Sequence, residues 1–243
     1  IITDKKFKNT FSKIPVIKVK NSRISFSEAC SNFYKGKPNN IVAVTGTNGK
    51  SSVSDFFYQI MNLNKIPVAS IGTLGIKSKN YNKKTSLTSI DALSLHKNLK
   101  ILKKNKIENV ILEASSHGLE QKRLDNLNIN IGIFTNFSQD HLDYHKNMKS
   151  YFNSKMYLFK NIMKKNSKII LNQDDKKFKI IKELAKKRSL KLNTIGTKFG
   201  DIVILKNEYK EDKQYIKISI KSKIFLFKVS LIGYFQIKNL LMA

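Results

Sequence analysis

The chain has 243 residues, with 46 Lys plus Arg against 17 Asp plus Glu and a formal net charge of +29. At 41% hydrophobic residues, with 10 Gly and 3 Pro, it is excluded from the collagen-like, low-complexity and disordered classes and can bury a core. Cys30 is the one cysteine, which excludes a disulfide scaffold and a multi-cysteine zinc site and fits a reducing compartment.

In chain order, residues 1–38 carry one short strand-like run (Ile14 to Val19), a helical stretch (Ser27 to Tyr34) and the turn-forming KGKPNN, read as the tail of a preceding domain plus a linker. From Ile41 to about Gly196, apolar runs alternate with amphipathic ones. IVAVT leads to a helix from Lys50, VASIG to a helix from Asp91, and NVILEA is followed by IGIFTN and a helix near Lys149 to Ile162. KIILN then leads to a helix from Asp174, which LNTIG follows. Short runs of this kind are buried parallel strands and the longer ones their covering helices, which predicts a doubly wound α/β domain with a mostly parallel sheet. Beyond Gly200, IVILKN, YIKISIKS and IFLFKVS alternate instead, which predicts an appended antiparallel region over Asp201 to Val229. The chain starts at Ile1 and ends in LLMA as an apolar segment begins at Leu240, so both ends read as cut.

Nearly all the positive charge is Lys, with Arg only at positions 23, 123 and 188. The lysines are spread along the chain among Asn and Ile, residues that share A/T-rich codons with Lys. Scattered charge of this kind reads as a solvated face, and no nucleic-acid partner is expected. No apolar run approaches the roughly 18 residues of a membrane span, and the N-terminus lacks a signal-peptide pattern. The expectation is a cytoplasmic chain with no membrane partner.

The sharpest local signal is IVAVTGTNGKSS, an apolar strand running into Gly46-Thr47-Asn48-Gly49-Lys50-Ser51-Ser52 and then a helix. Glycines let backbone N–H groups close around phosphate oxygens, the helix N-terminus adds its dipole, Lys50 supplies a point charge and Ser51 can reach Mg2+. Gly46 lies three residues before Gly49, so the loop is shorter than the common six-residue form, with Val44 where the first Gly of that form would stand. ATP is the favoured ligand.

Glu113 ends the strand NVILEA, at the edge where open α/β sheets bind ligands, and beside a phosphate loop a carboxylate there suits Mg2+. By itself it reads equally well as a solvated strand end. A further strand end, that of IGIFTN, opens into a stretch with two acids and two histidines, Asp140, His141, Asp143 and His145. These four could form a metal or acid–base cluster; the bland alternatives are a surface histidine at His145 and a helix cap at Asp140.

With GTNGKSS, LEASSHGLEQKR and TNFSQDHLDYH in one chain and in this order, the sequence resembles the Mur ligases, ATP-dependent amide-forming enzymes of peptidoglycan precursor synthesis, and among them the UDP-N-acetylmuramoyl-tripeptide synthetase branch. The likeness extends to IPVIKV, FYKGKP, TLGI, LTSIDALSLHK, SYFNSKMYLF, LNQDD and IGYFQIKNLLMA. It implies that residues 1–38 are the end of an N-terminal uridine-substrate domain and linker, that 39–243 are the central ATP-binding domain, and that a C-terminal domain is absent. It places Gly46 to Ser52 and Asn172 on ATP, with Lys50 on the phosphates. Ser51 and Glu113 go to one Mg2+ and His141 to a second. Thr88, Ser89, Ser115, Gln121 and Arg123 match contacts to the UDP-muramoyl peptide, and Lys155 matches a lysine carried as a carbamate, an anion able to coordinate Mg2+. From the residues alone Lys155 is one more solvated lysine.

The implied partners are UDP-N-acetylmuramoyl-dipeptide and a free amino acid, meso-diaminopimelate, and the implied state is a monomer. Departures from the family pattern are Ser51 for Thr, Ser89 for the second Thr of a pair, Ile90 for Pro and Gln236 for Asn. Three rivals differ in their tests: a folylpolyglutamate-synthase-like ligase would take a folate, a nucleic-acid-stimulated ATPase would bind DNA with steep salt dependence, and a truncated remnant would bind ATP without turnover.

Overall fold

A computed structural model of the chain describes residues 1–5 and 13–243. Strand β1 (Ile2–Thr3) pairs in parallel with β2 (Ile17–Lys18), and α1 (Ser22–Phe33) follows. The strand expected over Ile14 to Val19 thus shrinks to two residues, with a partner that the sequence had not marked as a strand. The helix expected at Ser27 begins at Ser22, because the Asn21 side chain accepts the Ile24 N–H at 3.0 Å and caps the helix there.

The sequence then runs β3 (Asn40–Thr45), α2 (Lys50–Leu63), β4 (Val68–Gly72), β5 (Gly75–Ser78), α3 (Ala92–Lys104), β6 (Asn109–Glu113), α4 (Ser116–Glu120), β7 (Ile131–Phe134) and α5 (Met148–Tyr157). A π-helical turn (Leu158–Ile162) leads to β8 (Lys168–Asn172), α6 (Phe178–Lys187), β9 (Lys191–Gly196), β10 (Ile202–Lys210), β11 (Lys213–Ile220), β12 (Lys223–Val229) and α7 (Tyr234–Met242). Strands β3 to β12 form one ten-stranded sheet in the order β12-β11-β10-β9-β8-β7-β3-β6-β4-β5. From β10 to β4 every neighbour is parallel; β5 at one edge and β11 and β12 at the other are antiparallel. This is the doubly wound sheet with an antiparallel appendix that the pattern predicted.

β3 lies at the centre, with β6 on one side (Val42 opposite Ile111) and β7 on the other (Val42 opposite Ile131). The chain steps outward from β3 to β4, returns to insert β6, and then crosses to β7. Such a reversal opens a crevice at the carboxyl ends of the central strands, where ligands of open α/β sheets bind.

Side chains alternate across the sheet and build two cores. Ile41, Ala43, Val110 and Leu112 face one side, packed with Leu95, Leu99 and Leu102 of α3, Met156 of α5 and Ile181 of α6. Val42, Val44, Ile111 and Ile133 face the other, with Val53 of α2 and Ile237 and Met242 of α7. The apolar run at Leu240 lies in α7, which packs on the second core. The helix expected over Lys149 to Ile162 changes to π geometry at Leu158, and β5, α4 and most of α7 were not foreseen as elements. β5 is a four-residue edge strand that turns on Gly75, and α4 is a five-residue helix, both too short to show a period.

α1 is fastened to this unit at the turn after α4. Ser27 Oγ donates to Asp125 O at 2.8 Å and Lys37 Nζ to Asn126 O at 2.5 Å. Beneath them His96 of α3 is buried, and its Nε2 has no hydrogen-bond partner. Burial, with the Lys37 charge adding to it, depresses this imidazole to about 4, against the opposing effect of the Asp125 backbone carbonyl, which accepts from the ring. The folded state therefore needs His96 neutral. As pH falls from about 6.5 to 4 the unfolded chain takes up a proton that the folded one refuses, and stability drops by something on the order of 3 kcal/mol. Denaturant titrations of the wild type and His96→Gln at pH 7 and pH 4.5 should show this component of the pH slope in the wild type alone.

Candidate functional site

The crevice is floored by the loop between β3 and α2. Gly46 has φ +147° and Gly49, the residue before α2, has φ +87°. A Cβ on Gly46 would fall 1.9 Å from Thr135 Oγ1, and one on Gly49 2.6 Å from Asn239 Oδ1 of α7. Both positions thus need glycine for conformation and for space. The loop is clamped to the chain leaving β7. Thr47 N donates to Asn136 O at 2.9 Å, Asn48 N to Asn136 Oδ1 at 3.0 Å, and Thr135 Oγ1 and Asn136 Nδ2 both donate to Asn48 O, at 2.6 and 3.0 Å. Thr47 Oγ1 accepts from Ser138 N at 3.0 Å.

Two lysines converge on the same loop carbonyl. Lys50 Nζ donates to Gly46 O at 3.1 Å and Thr47 O at 2.7 Å, and Lys155 Nζ of α5 donates to Gly46 O at 2.7 Å. Lys155 is 1% exposed, and its ammonium sits 4.3 Å from the centre of the Tyr151 ring. Burial, reinforced by the Lys50 charge and opposed by Asp140, pushes Lys155 down to about 6. Burial also lowers Lys50, against the pull of Glu113 and Asp140. The sequence-only reading of Lys155 as a solvated lysine is overturned.

Glu113 ends β6 beside the loop and is 3% exposed. A buried carboxylate needs compensation, and it receives Thr73 N on Oε1 at 2.9 Å and Ser51 Oγ and Thr73 Oγ1 on Oε2 at 2.9 and 3.2 Å. The solvated strand end is excluded by this burial. Thr73 Oγ1 lies 3.1 Å from Thr88 Oγ1, which brings the 85–90 segment to the same edge. Ser89 Oγ donates to Glu113 O and accepts from Ser115 N, both at 2.8 Å, and Arg123 donates to Ser89 O at 2.6 Å and to Gln121 Oε1 at 2.6 and 3.1 Å. Thr88, Ser89, Ser115, Gln121 and Arg123 are thus one connected rim next to Glu113. Ser115 also caps α4 through Gly118 N at 3.1 Å.

The 137–145 stretch behaves differently from the expected cluster. Among the described residues no three His, Cys, Asp or Glu side chains are arranged to hold a metal ion. The rings pack edge-on or tilted against one another instead: His117 lies 3.9 Å from Tyr144, 5.1 Å from His141 and 5.6 Å from His145 between centroids. His145 is buried, against the surface alternative, and its Nδ1 lies 3.1 Å from Glu120 Oε2, outside hydrogen-bond alignment. Asp140 caps no helix; its Oδ1 accepts from His141 N at 2.8 Å and Oδ2 lies 3.5 Å from His141 Nε2. His141 is partly exposed and has φ +50°.

Ser52 lies in the first turn of α2. Asn172 stands at the carboxyl end of β8, two strands from β3 on the same edge, and accepts Asp174 N at 3.0 Å. Among the described residues it makes no hydrogen bond to the loop. Sequence reasoning missed Thr73, Thr135, Asn136, Tyr151 and Asn239. All five lay inside stretches quoted for the family likeness, but none carried a local chemical signature.

A family model described as Mur ligase middle domain matches residues 44–243. The chain is similar to the UDP-N-acetylmuramoyl-L-alanyl-D-glutamate--2,6-diaminopimelate ligase of Rickettsia montanensis, at 40% identity over 247 residues, covering 100% of this chain and 51% of the relative. A solved structure of a UDP-N-acetylmuramoyl-L-alanyl-D-glutamate--2,6-diaminopimelate ligase superposes with a TM-score of 0.86 at 27% identity, over 99% of this chain and 49% of that one. The MurF ligase from Thermotoga maritima in complex with ADP shares the fold, with a TM-score of 0.63 at 19% identity over 99% of this chain and 52% of that one. The chain spans about half the length of the curated relatives it matches. Among the described residues no helix is long and apolar enough to cross a membrane.

Gly46→Ala tests the loop. A side chain there collides with Thr135, and the backbone is strained, so the thermal midpoint should fall by roughly 4–8 °C or more. A melting curve within 1 °C or so of the wild type would mean that the loop relaxes freely.

Proposed function

The chain belongs to the Mur ligase family, and from that premise we propose that it works in an ATP-dependent amide ligase that adds meso-diaminopimelate to UDP-N-acetylmuramoyl-L-alanyl-D-glutamate. In this reading residues 1–38 end an N-terminal uridine-substrate domain and linker, and 39–243 form the central ATP-binding domain of a cytoplasmic, monomeric enzyme. The observation that carries it is Lys155. It lies 109 residues from Gly46 in sequence, yet it is buried against the same loop carbonyl that Lys50 grips.

The D-glutamyl carboxylate oxygen attacks the γ-phosphorus of ATP, the bond to the ADP oxygen breaks, and an acyl phosphate forms. The amine of the incoming amino acid then attacks the acyl carbon, the bond to phosphate breaks, and the amine loses a proton as the amide forms. Such chemistry is mainly positioning and charge neutralisation. We assign Gly46 to Ser52 to the ATP phosphates, with Lys50 as the neutralising charge, and Asn172 to the adenine side. Thr88, Ser89, Ser115, Gln121 and Arg123 are assigned to the UDP-muramoyl peptide.

The donors around Glu113 fit a magnesium ion: a hydroxyl and a carboxylate oxygen 2.9 Å apart, both hard ligands. Bound there, Mg2+ would screen the phosphate charges, with Ser51 and Glu113 holding it; His141 is assigned to a second ion. Lys155 fits a carbamate, because only a neutral amine attacks CO2. Its nitrogen bonds to the carbon, an electron pair moves to oxygen, and an amine proton leaves to water. Burial and the neighbouring Lys50 keep that amine neutral above about pH 6.

Phosphate release from Mg-ATP should require both UDP-N-acetylmuramoyl-L-alanyl-D-glutamate and the amino acid, with meso-diaminopimelate preferred over L-lysine. Lys50→Ala should lower it by about 100-fold or more. Release that is indifferent to the UDP-peptide would sink the assignment. Lys155→Ala should lose activity and regain part of it with an added short carboxylate. In the wild type, stimulation by bicarbonate should grow as pH rises through about 6, since the ammonium form cannot react. A flat bicarbonate response from pH 5.5 to 8 would count against the carbamate.

A further inference from the structure

Tyr151 of α5 is fully buried between Lys155, the phosphate loop and the 137–145 stretch, and none of the assignments above uses it. It precedes Lys155 by one helical turn, so the two side chains share a helix face. Its ring lies 4.3 Å beneath the Lys155 ammonium. The ring is held in turn by Phe137 at 5.3 Å, His145 at 5.1 Å and His141 at 6.0 Å between centroids. Its hydroxyl donates to Thr47 Oγ1 at 3.3 Å, inside the phosphate loop. That threonine oxygen is already tied to Ser138 N at 3.0 Å and Ser138 O at 3.2 Å, so the phenol adds the third tie that fixes it.

We propose that Tyr151 is a positioning residue that sets the separation between the Lys155 head and the phosphate loop, its ring guiding the lysine and its hydroxyl fixing the loop through Thr47. The inference rests on the reading of Lys155 as a carbamate for the ring and of the loop as an ATP site for the hydroxyl. The two halves are chemically distinct. An aromatic face attracts a cation and repels an anion, so the ring draws in the ammonium and turns a carbamate carboxylate off its face, away from the ring centre. The hydroxyl touches no part of the lysine head; its bond goes to the loop alone. Burial raises the phenol above its ordinary range, against the lowering effect of Thr47, so the hydroxyl remains a donor throughout the neutral range.

Two substitutions separate the halves. Tyr151→Phe keeps the ring and removes the tie to Thr47: the Kd for ATP, measured by calorimetry without turnover, should rise about fivefold, while the bicarbonate dependence stays at the wild-type value. Tyr151→Leu removes the ring: the carbamate carbon signal of protein incubated with 13C-bicarbonate should change in occupancy or chemical shift, and the bicarbonate concentration for half-stimulation should move by about threefold or more. A merely structural tyrosine would lower the melting temperature in both variants and leave the split absent. Equal ATP affinity in Tyr151→Phe together with an unchanged carbamate signal in Tyr151→Leu overturns the proposal. If the wild type shows no carbamate signal, the reading of Lys155 fails and the ring half of the proposal with it. The ATP affinity of Tyr151→Phe then decides the hydroxyl half by itself.

Discussion

One backbone carbonyl organises the crevice. Gly46 O accepts from half-buried Lys50 and from buried Lys155, and two ammonium groups so placed would repel one another. Such an arrangement is costly, since moving an ammonium into a low-dielectric interior raises its free energy unless partners or loss of the proton compensate. Here the compensation comes from loop carbonyls, from the Tyr151 ring and from the depressed protonation of Lys155. A fold does not keep a buried and a half-buried lysine on one oxygen for packing, because a leucine would fill the buried place at less expense. The burial is intelligible when the loop is read as a site for a highly anionic ligand, and Lys155 as a nitrogen held ready for chemistry.

The sheet makes that convergence possible. Val44 and Thr45 of β3, Glu113 of β6 and Phe134 of β7 end at the same edge, and the strand register sets Val44 opposite Glu113 and Thr45 opposite Phe134. The loop after β3 therefore lies between a carboxylate on one side and the Thr135–Ser138 clamp on the other. α5 reaches the same point from the opposite end of its own turn, so a lysine 109 positions from Gly46 becomes its neighbour. Precision of this kind comes from strands and helices locked by packing, with Met156 beside Lys155 buried in the larger core.

This also explains what could be read from the residues and what could not. The alternating apolar runs disclosed β3, β4, β6, β7, β8 and β9, because a buried parallel strand must be apolar on both faces. The loop could be read because its glycines and Lys50 are contiguous in sequence. The Glu113 neighbourhood could be read only in part: the carboxylate at a strand end was visible, but Thr73, which donates to it twice, came from a turn with no pattern of its own. Lys155 and Tyr151 were invisible as chemistry, since one lysine in so basic a chain carries no local signal. For Lys155 only resemblance supplied the suspicion; Tyr151 required coordinates. The 137–145 stretch misled in the other direction. Its acids and histidines are dense in sequence, yet in space the imidazoles pack edge-on or tilted as rings, and no three metal-ligating side chains among the described residues are arranged around one centre.

The departures from the family pattern become comprehensible at the same level. Ser51 retains the hydroxyl that meets Glu113, and the methyl a threonine would add takes no part in that bond. Ser89 uses its oxygen twice, toward Glu113 O and from Ser115 N, which a serine does as well as a threonine. Ile90, where a proline is usual, gives up a fixed φ but is buried against the larger core, so packing replaces ring constraint in holding the segment. Gln236 accepts Asn239 Nδ2 at 3.0 Å, and Asn239 is the side chain that fills the space above Gly49. The longer glutamine thus still braces the residue that presses on the start of α2. At Ser51, Ser89 and Gln236 the difference is in carbon while the oxygen with a partner is retained, which is the pattern of a site still held to its polar geometry.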